Sequence, residues 1–288
     1  MFSTLLGALP RPSDGPADAL ASLASTGLEL LSTGEPPTGA EQAPAAVVGA
    51  WRAAAGATDR PIKQVLAGPY SAGRDGATSR PVELAESLQA TVVALAEAGC
   101  PFIEIDESAA EAIAVVAGER QRFVEAHHRL LDVVGGTHVS LALTGANLDE
   151  AGPATFFDLP YASYAFDLIA GPDNWRLIAA APQDRGIVCG ALDPRPNGDE
   201  TRELLIWAAH YAASTNGRGP NRVGLANAPS LAPLDWPVAL RKLSRIAEAV
   251  RIASVESPGE MARLLDPRAF GGRRDRPGRV RLAGPSEE

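Results

Sequence analysis

Asp106 and Glu107 are adjacent carboxylates standing where a short apolar run, Phe102-Ile103-Glu104-Ile105, comes to its end. Carboxylates so placed suit acid/base chemistry or the capture of a cation, because the C-terminal ends of parallel strands are where α/β enzymes gather their reacting groups. The residues upstream explain why a strand is expected there. Gly99 supplies a left-handed residue that ends a helix, Pro101 blocks its continuation, and the apolar residues that follow suit a buried parallel strand. The alternative for Asp106 is a buried carboxylate paired with a neighbouring arginine.

His138 is the second candidate catalytic residue; an imidazole at a strand start can serve as acid, base or ligand, or simply as a satisfied core residue. Tyr70 and Ser71 follow the Gly68-Pro69 turn in a segment able to cover a substrate. Asp193 ends another strand-like stretch and could touch a substrate or cap the next helix. Glu35 could hold a cation or lie against a helix N-terminus. Cys100 and Cys189 are the only cysteines and form no CxxC pair, which excludes a disulfide framework. Both read as buried filler. A weaker alternative joins His138, Asp167 and Cys189, on three neighbouring strands, into a metal site. His127, His128 and His210 lie in helical runs and read as packing or surface residues. No lysine-bearing phosphate loop, GxSxG elbow or HExxH pair occurs.

The elements that position these residues alternate along the chain. Strands are expected at 5–8, 28–32, 62–67, 102–106, 138–142, 162–168, 187–192 and 222–226, with amphipathic helices around 14–26, 41–55, 82–98, 117–133, 174–181, 201–214 and 237–252. The stretch from Asn147 to Pro160 reads as a long loop holding a short helix. Eight strands alternating with helices predict a (β/α)₈ TIM barrel as a single domain over residues 1–256, and no GxGxxG follows the first strand to favour a doubly wound sheet. Residues 257–288, with Gly271-Gly272-Arg273-Arg274 and Arg276-Pro277-Gly278-Arg279, read as a polar, flexible tail.

The 288 residues are 45% hydrophobic and carry a formal charge of −9, so a field for neutralising nucleic-acid phosphates is not expected. A small-molecule substrate is the expected partner. Lys63 and Lys242 are the only lysines; with abundant Ala, Gly and Pro, this reads as a coding bias rather than a basic surface. No apolar stretch reaches the roughly 20 residues needed to span a bilayer, and no signal-peptide pattern opens the chain, so a cytoplasmic protein without a membrane partner is expected.

In order, the early Pro10-Arg11 segment, Gly34-Glu35, Gly68-Pro69, Ile105-Asp106-Glu107, His138, Gly190 to Asp193 and Lys242-Leu243 resemble the catalytic barrel of cobalamin-independent methionine synthase. The resemblance spans roughly residues 5 to 250 and implies a (β/α)₈ barrel of the short, single-barrel form. It also implies a methyl or alkyl transferase acting on a thiol or amino-acid-like compound, with a corrinoid protein as a possible methyl donor. By the same resemblance, Glu35 and Asp106 fall where the family contacts the substrate ammonium group. The family's zinc is held by a His-x-Cys pair, a glutamate and a later cysteine. Here Ser140 follows His138 in place of the first cysteine, Asp167 falls near the glutamate, and Pro229-Ser230 stand near the last cysteine. A thiol-activating zinc needs soft or borderline ligands in a tetrahedral cage, so zinc is disfavoured as a cofactor. Metal-free lyase or acid/base chemistry on the same barrel, or a non-catalytic binding role, are the alternatives.

Overall fold

The computed structural model describes residues 1–12, 16–32, 43–74, 80–132, 135–198 and 201–265. The chain divides into two compact units, Met1–Ser254 and Val255–Glu288.

In the first unit the strands are β1 (Phe2–Ser3), β2 (Leu31–Ser32), β3 (Ile62–Ala67), β4 (Ile103–Glu107), β5 (Val139–Leu143), β6 (Ser163–Asp167), β7 (Gly186–Leu192) and β8 (Val223–Asn227). Its helices are α1 (Pro16–Ser25), α2 (Pro44–Gly56), α3 (Pro69–Arg74), α4 (Pro81–Glu97), α5 (Glu111–Val115), α6 (Ala117–Leu131), α7 (Ala154–Phe157), α8 (Trp175–Ala180), α9 (Arg202–Ser214) and α10 (Trp236–Ala253). All strand pairs are parallel, in the order β1-β8-β7-β6-β5-β4-β3-β2. This is a TIM-barrel-like α/β architecture.

The expected barrel closure is the main correction. Among the described residues no ladder joins β1 to β2; the Glu29 and Leu30 amides instead both donate to the Ser3 carbonyl, at 3.2 and 3.0 Å. Each edge strand instead forms a two-residue ladder with its other neighbour, β1 with β8 and β2 with β3. The first strand also lies earlier than expected, because Phe2 and Ser3, not Leu5 to Ala8, pair with Gly224 and Leu225. Gly7 then turns with φ +68°, its Cα so close to the Ser230 backbone that a side chain would collide.

The helix end read from Gly99 is present: Gly99 has φ +85°, and the Cys100 amide donates to the Leu95 carbonyl five residues back. Two short helices, α3 and α5, lie in the segments after β3 and β4 and were not expected. The second unit contains α11 (Pro258–Leu265), where the sequence pattern had marked a tail; residues 266–288 lie outside the described residues. Among the described residues no helix is long and apolar enough to cross a membrane.

Strand alternation sorts the sheet into two faces. Lys63, Val65 and Ala67 share the inner face with Glu104 and Asp106, which align in turn with Ser140 and Ala142, then with Ser163 and Ala165. Leu6, Ala142, Ala165, Val188 and Ala226 pack together there, with Phe2 against them. The inner face also buries a charge pair. Lys63 Nζ lies 2.6 Å from Glu104 Oε2 and donates at 2.6 Å to the Leu5 carbonyl, both side chains being almost fully buried. One ammonium thus links β3, β4 and the segment after β1, across the gap where the ladder is missing.

Breaking a buried pair leaves the surviving charge unpaired. Lys63→Met is expected to cost about 3–5 kcal/mol of stability, with at least half recovered in Lys63→Met/Glu104→Leu, as read by urea denaturation. A loss below about 1 kcal/mol, the scale of an exposed ion pair, would contradict this role.

Candidate functional site

Asp106 is the penultimate residue of β4 and lies on the inner face between Ala67 and Ala142, its register partners on either side. Both neighbours are small. The carboxyl is 9% exposed, and its Oδ1 is buried without a hydrogen-bond partner. Burial, reinforced by the nearby Glu104 and Glu107 charges, pushes its pKa up to about 7, against the opposing pull of Lys63 and the Thr144 hydroxyl. Such a carboxyl can give or take a proton near neutrality, and an incoming cation would draw it into the charged form.

Glu107, one residue further, points to the opposite face and is fully buried. Its oxygens accept from the Tyr70 and Ser71 amides at 3.0 and 2.6 Å, which fastens the first turn of α3 to the end of β4. Gly68 is required for this approach, because a Cβ there would collide with the Glu107 carboxylate. His127 of α6 adds its Nε2 at 3.0 Å from Glu107 Oε1, without an aligned N–H, while its Nδ1 lies 2.6 Å from the Tyr161 hydroxyl.

The candidate residues named from sequence are therefore dispersed. Tyr70 is fully buried, its hydroxyl donating to Glu119 at 2.9 Å, and the Ser71 hydroxyl accepts from the Ala109 amide. These contacts tie both residues to the helix layer. Asp193 is engaged by Arg195, with Nε 2.7 Å from Oδ2, and that guanidinium holds its carboxyl below the usual range. Asp167 is saturated by backbone donors, accepting from the Gly145, Ile169 and Ala170 amides at 3.0, 2.8 and 2.9 Å. Glu35 lies outside the described residues.

His138 immediately precedes β5. Its ring stacks on Phe102 at 4.4 Å and its Nε2 lies 2.8 Å from the Ser163 hydroxyl, at the start of β6. Burial lowers its pKa. Four residues, roughly 13 Å of strand, separate it from Ala142, which sits beside Asp106. The structure does not bring the two expected catalytic residues together.

Nor does it assemble the residues considered for a metal. Cys189 faces α9, its thiol donating to the Ala208 carbonyl at 3.9 Å, and full burial pushes its pKa up to about 12. Asp167 has its oxygens occupied, and His138 is at the other strand end. Cys100 precedes β4 and donates to the Phe102 carbonyl at 3.4 Å, far from the C-terminal strand ends. Among the described residues no group of three or more His, Cys, Asp or Glu could hold a metal ion. The inner positions near the ends of β5 and β8 are Ala142, Thr144 and Ala226, none of them a soft ligand. The zinc site implied by the resemblance does not fit these residues.

Sequence reasoning missed the Lys63–Glu104 pair, the anchoring of α3 by Glu107 and the His127–Tyr161 contact. The one available signal was the rarity of lysine: both lysines are buried, Lys63 completely and Lys242 to 4% exposure.

No model of a known protein family matches the chain, and neither does the sequence of any curated protein. Solved structures do resemble it. A B12-independent methionine synthase from a Shewanella species, in complex with selenomethionine, aligns with TM-score 0.69 and 15% identity over 86% of this chain and 97% of its own. A putative vitamin-B12 independent methionine synthase from Listeria monocytogenes aligns with TM-score 0.68 and 13% identity over 89% and 98%. A methyltransferase from Methanosarcina mazei reaches TM-score 0.50 and 15% identity over 72% and 64%. At these identities the likeness is one of fold, a methionine-synthase-like barrel.

Proposed function

We propose that this chain is an enzyme on a methionine-synthase-like barrel that binds a small amino-acid-like amine at the C-terminal strand ends and performs acid/base chemistry with Asp106. The observation that carries this reading is the buried, unpartnered Asp106 Oδ1 between two alanines. An ammonium group supplies what that oxygen lacks, a charge-assisted donor. With its pKa at about 7, Asp106 is divided between acid and base at neutral pH and can hold or move a proton at its carboxyl oxygen. Thr144, above Ala142 on the inner face, favours the charged form through its hydroxyl. Transfer of a methyl or alkyl group to a thiol is the second reading, favoured by the likeness in fold to two methionine synthases and a methyltransferase. In that case a substrate thiol would give its proton to the Asp106 carboxylate.

Three outcomes test this reading. L-methionine is expected to bind in titration calorimetry, whereas its analogue lacking the amino group is not, and Asp106→Asn is expected to weaken binding at least about tenfold. Equal binding by the variant, or none by the parent among sulfur-containing amino acids, would overturn it. The stability of Asp106→Asn carries the opposite sign. Because the folded pKa of Asp106 is raised, its favourable contribution is complete below about pH 4 and is lost as pH rises through about 7. Asp106→Asn is therefore expected to exceed the parent in stability at pH 8 by about 2–4 kcal/mol, with the gain vanishing below about pH 4. Denaturant curves across that range decide it. Finally, protein purified without chelator is expected to retain less than about 0.2 equivalents of zinc. Near-stoichiometric zinc by elemental analysis, lost in His138→Ala, would restore a relocated metal site with Asp167 and Cys189.

A further inference from the structure

Thr144 is the first residue beyond β5, buried, and by alternation on the inner face with Ser140 and Ala142. Its hydroxyl is the side-chain donor on the Asp106 carboxyl. Because Asp106 Oδ1 is buried without a hydrogen-bond partner, the oxygen that Thr144 engages is Oδ2. The four residues that follow Thr144 are each gripped from the end of β6 and the segment before α8. The Gly145 amide donates to Asp167 Oδ2 at 3.0 Å, and the Ala146 carbonyl accepts from Asn174 Nδ2 at 3.0 Å. Asn147 Nδ2 donates to Asp173 Oδ2 while its Oδ1 accepts from the Asp173 amide, both at 2.8 Å, and the Leu148 amide donates to Asn174 Oδ1 at 2.8 Å.

The gripping groups are themselves anchored. Asn174 is fully buried and also donates from Nδ2 to the Asp167 carbonyl at 2.8 Å, and the second Asp167 oxygen is held by the Ile169 and Ala170 amides. Gly171 leaves room for this, because a Cβ there would collide with both Asn174 and the Ala146 carbonyl. Gly145 turns the chain with φ +83°, a conformation that glycine adopts without strain. Connecting segments are ordinarily the mobile part of such a fold; this one is fixed residue by residue. What the fixing delivers is the place of one hydroxyl. A carboxyl held at one oxygen presents the other in a constant direction, and a reacting group works only when held within roughly 0.5 Å of its productive place.

We propose that Thr144 is the positioning residue of the Asp106 site, its hydroxyl holding Oδ2 so that the proton is exchanged through Oδ1, and that Asp167 and Asn174 keep Thr144 in place through the backbone of Gly145 to Leu148. In the charged form Oδ1 accepts a proton from the bound molecule, and in the neutral form it returns one, with Oδ2 bonded to Thr144 throughout. Asp167, considered above as a metal ligand, thereby serves the same site without touching the substrate. This role rests on the acid/base reading of Asp106 and extends it to the residues that hold the carboxyl.

The test follows the Asp106 carboxyl carbon by carbon-13 NMR through a pH titration of the ligand-free full chain. The other charged groups that bear on Asp106 are Glu104 and Glu107 on its own strand and Lys63 on β3, and all three are kept in every variant. Thr144→Val keeps the shape and removes a donor to the charged form, so the midpoint is expected to rise by about one unit. Thr144→Ser is expected to restore it. Asn174→Ala is expected to raise the midpoint in the parent but not further in Thr144→Val, since the two act through one hydroxyl. Thermal melts show which variants fold; Thr144→Ala and the half-buried Asn147→Ala carry the same expectations should Thr144→Val or Asn174→Ala fail. A midpoint unmoved by loss of the hydroxyl, no recovery in Thr144→Ser, or an equal rise from Asn174→Ala with and without the hydroxyl would overturn the proposal. Shifts as expected in a protein that does not bind L-methionine would support the positioning role and overturn the amine-binding reading alone.

Discussion

The buried ammonium of Lys63 is the constraint on which the rest of the sheet depends. The two edge strands are only two residues long and share no ladder, so the sheet has a gap between its first and second strands. Lys63, on β3 and so one strand in from that gap, reaches the Leu5 carbonyl beyond it and Glu104 on the other side. A lysine suits this task because its compact ammonium carries three donors at the end of a flexible stem. Its desolvation is tolerable only while Glu104 stays charged beside it. The same pair lies one layer beneath Asp106, and its two charges act on Asp106 in opposite directions, so the tether that joins the strands also helps set the proton affinity of the candidate site.

Polar residues on the two faces of the sheet do different work. Inside, Asp106 is left with an unfilled acceptor. Outside, Glu107 accepts from the Tyr70 and Ser71 amides and the His127 Nδ1 meets the Tyr161 hydroxyl, between the strands and helices. Adjacent residues of one strand therefore have opposite roles, because alternation sends one carboxylate to the interior and the next to the helix layer. Asp167 and Asp193 are likewise occupied: Asp193 secures its own loop, and Asp167 its own loop and the Gly145 amide after β5.

This division also explains what was legible in the sequence. The strands from Ile62 onward fall within a residue or two of their expected positions, because short runs rich in apolar residues between turn and helix-end signals leave little freedom. Asp106 was legible as a strand-end carboxylate for the same reason. The missing closure was not, since it depends on how Phe2 and Ser3 pair with residues more than two hundred positions away. Of the readings open for His138 the sequence could not choose: the apolar run Val139–Leu143 follows it, which puts the imidazole at the start of the strand and against Phe102 and Ser163, away from Asp106. Tyr70 and Ser71 drew attention as an open loop, whereas their amides are the donors that Glu107 requires. The pairing of Lys63 with Glu104 spans 41 residues and left no local trace beyond the scarcity of lysine.

The account turns on the proton held by Asp106. Carbon-13 NMR of its carboxyl carbon, followed through a pH titration of the ligand-free protein, reads that proton directly. A midpoint near 7, as burial beside Glu104 and Glu107 requires, is the predicted result. A midpoint near 4, the ordinary value for an aspartate, would mean that the carboxyl is solvated or paired, and would contradict the acid/base site proposed for it.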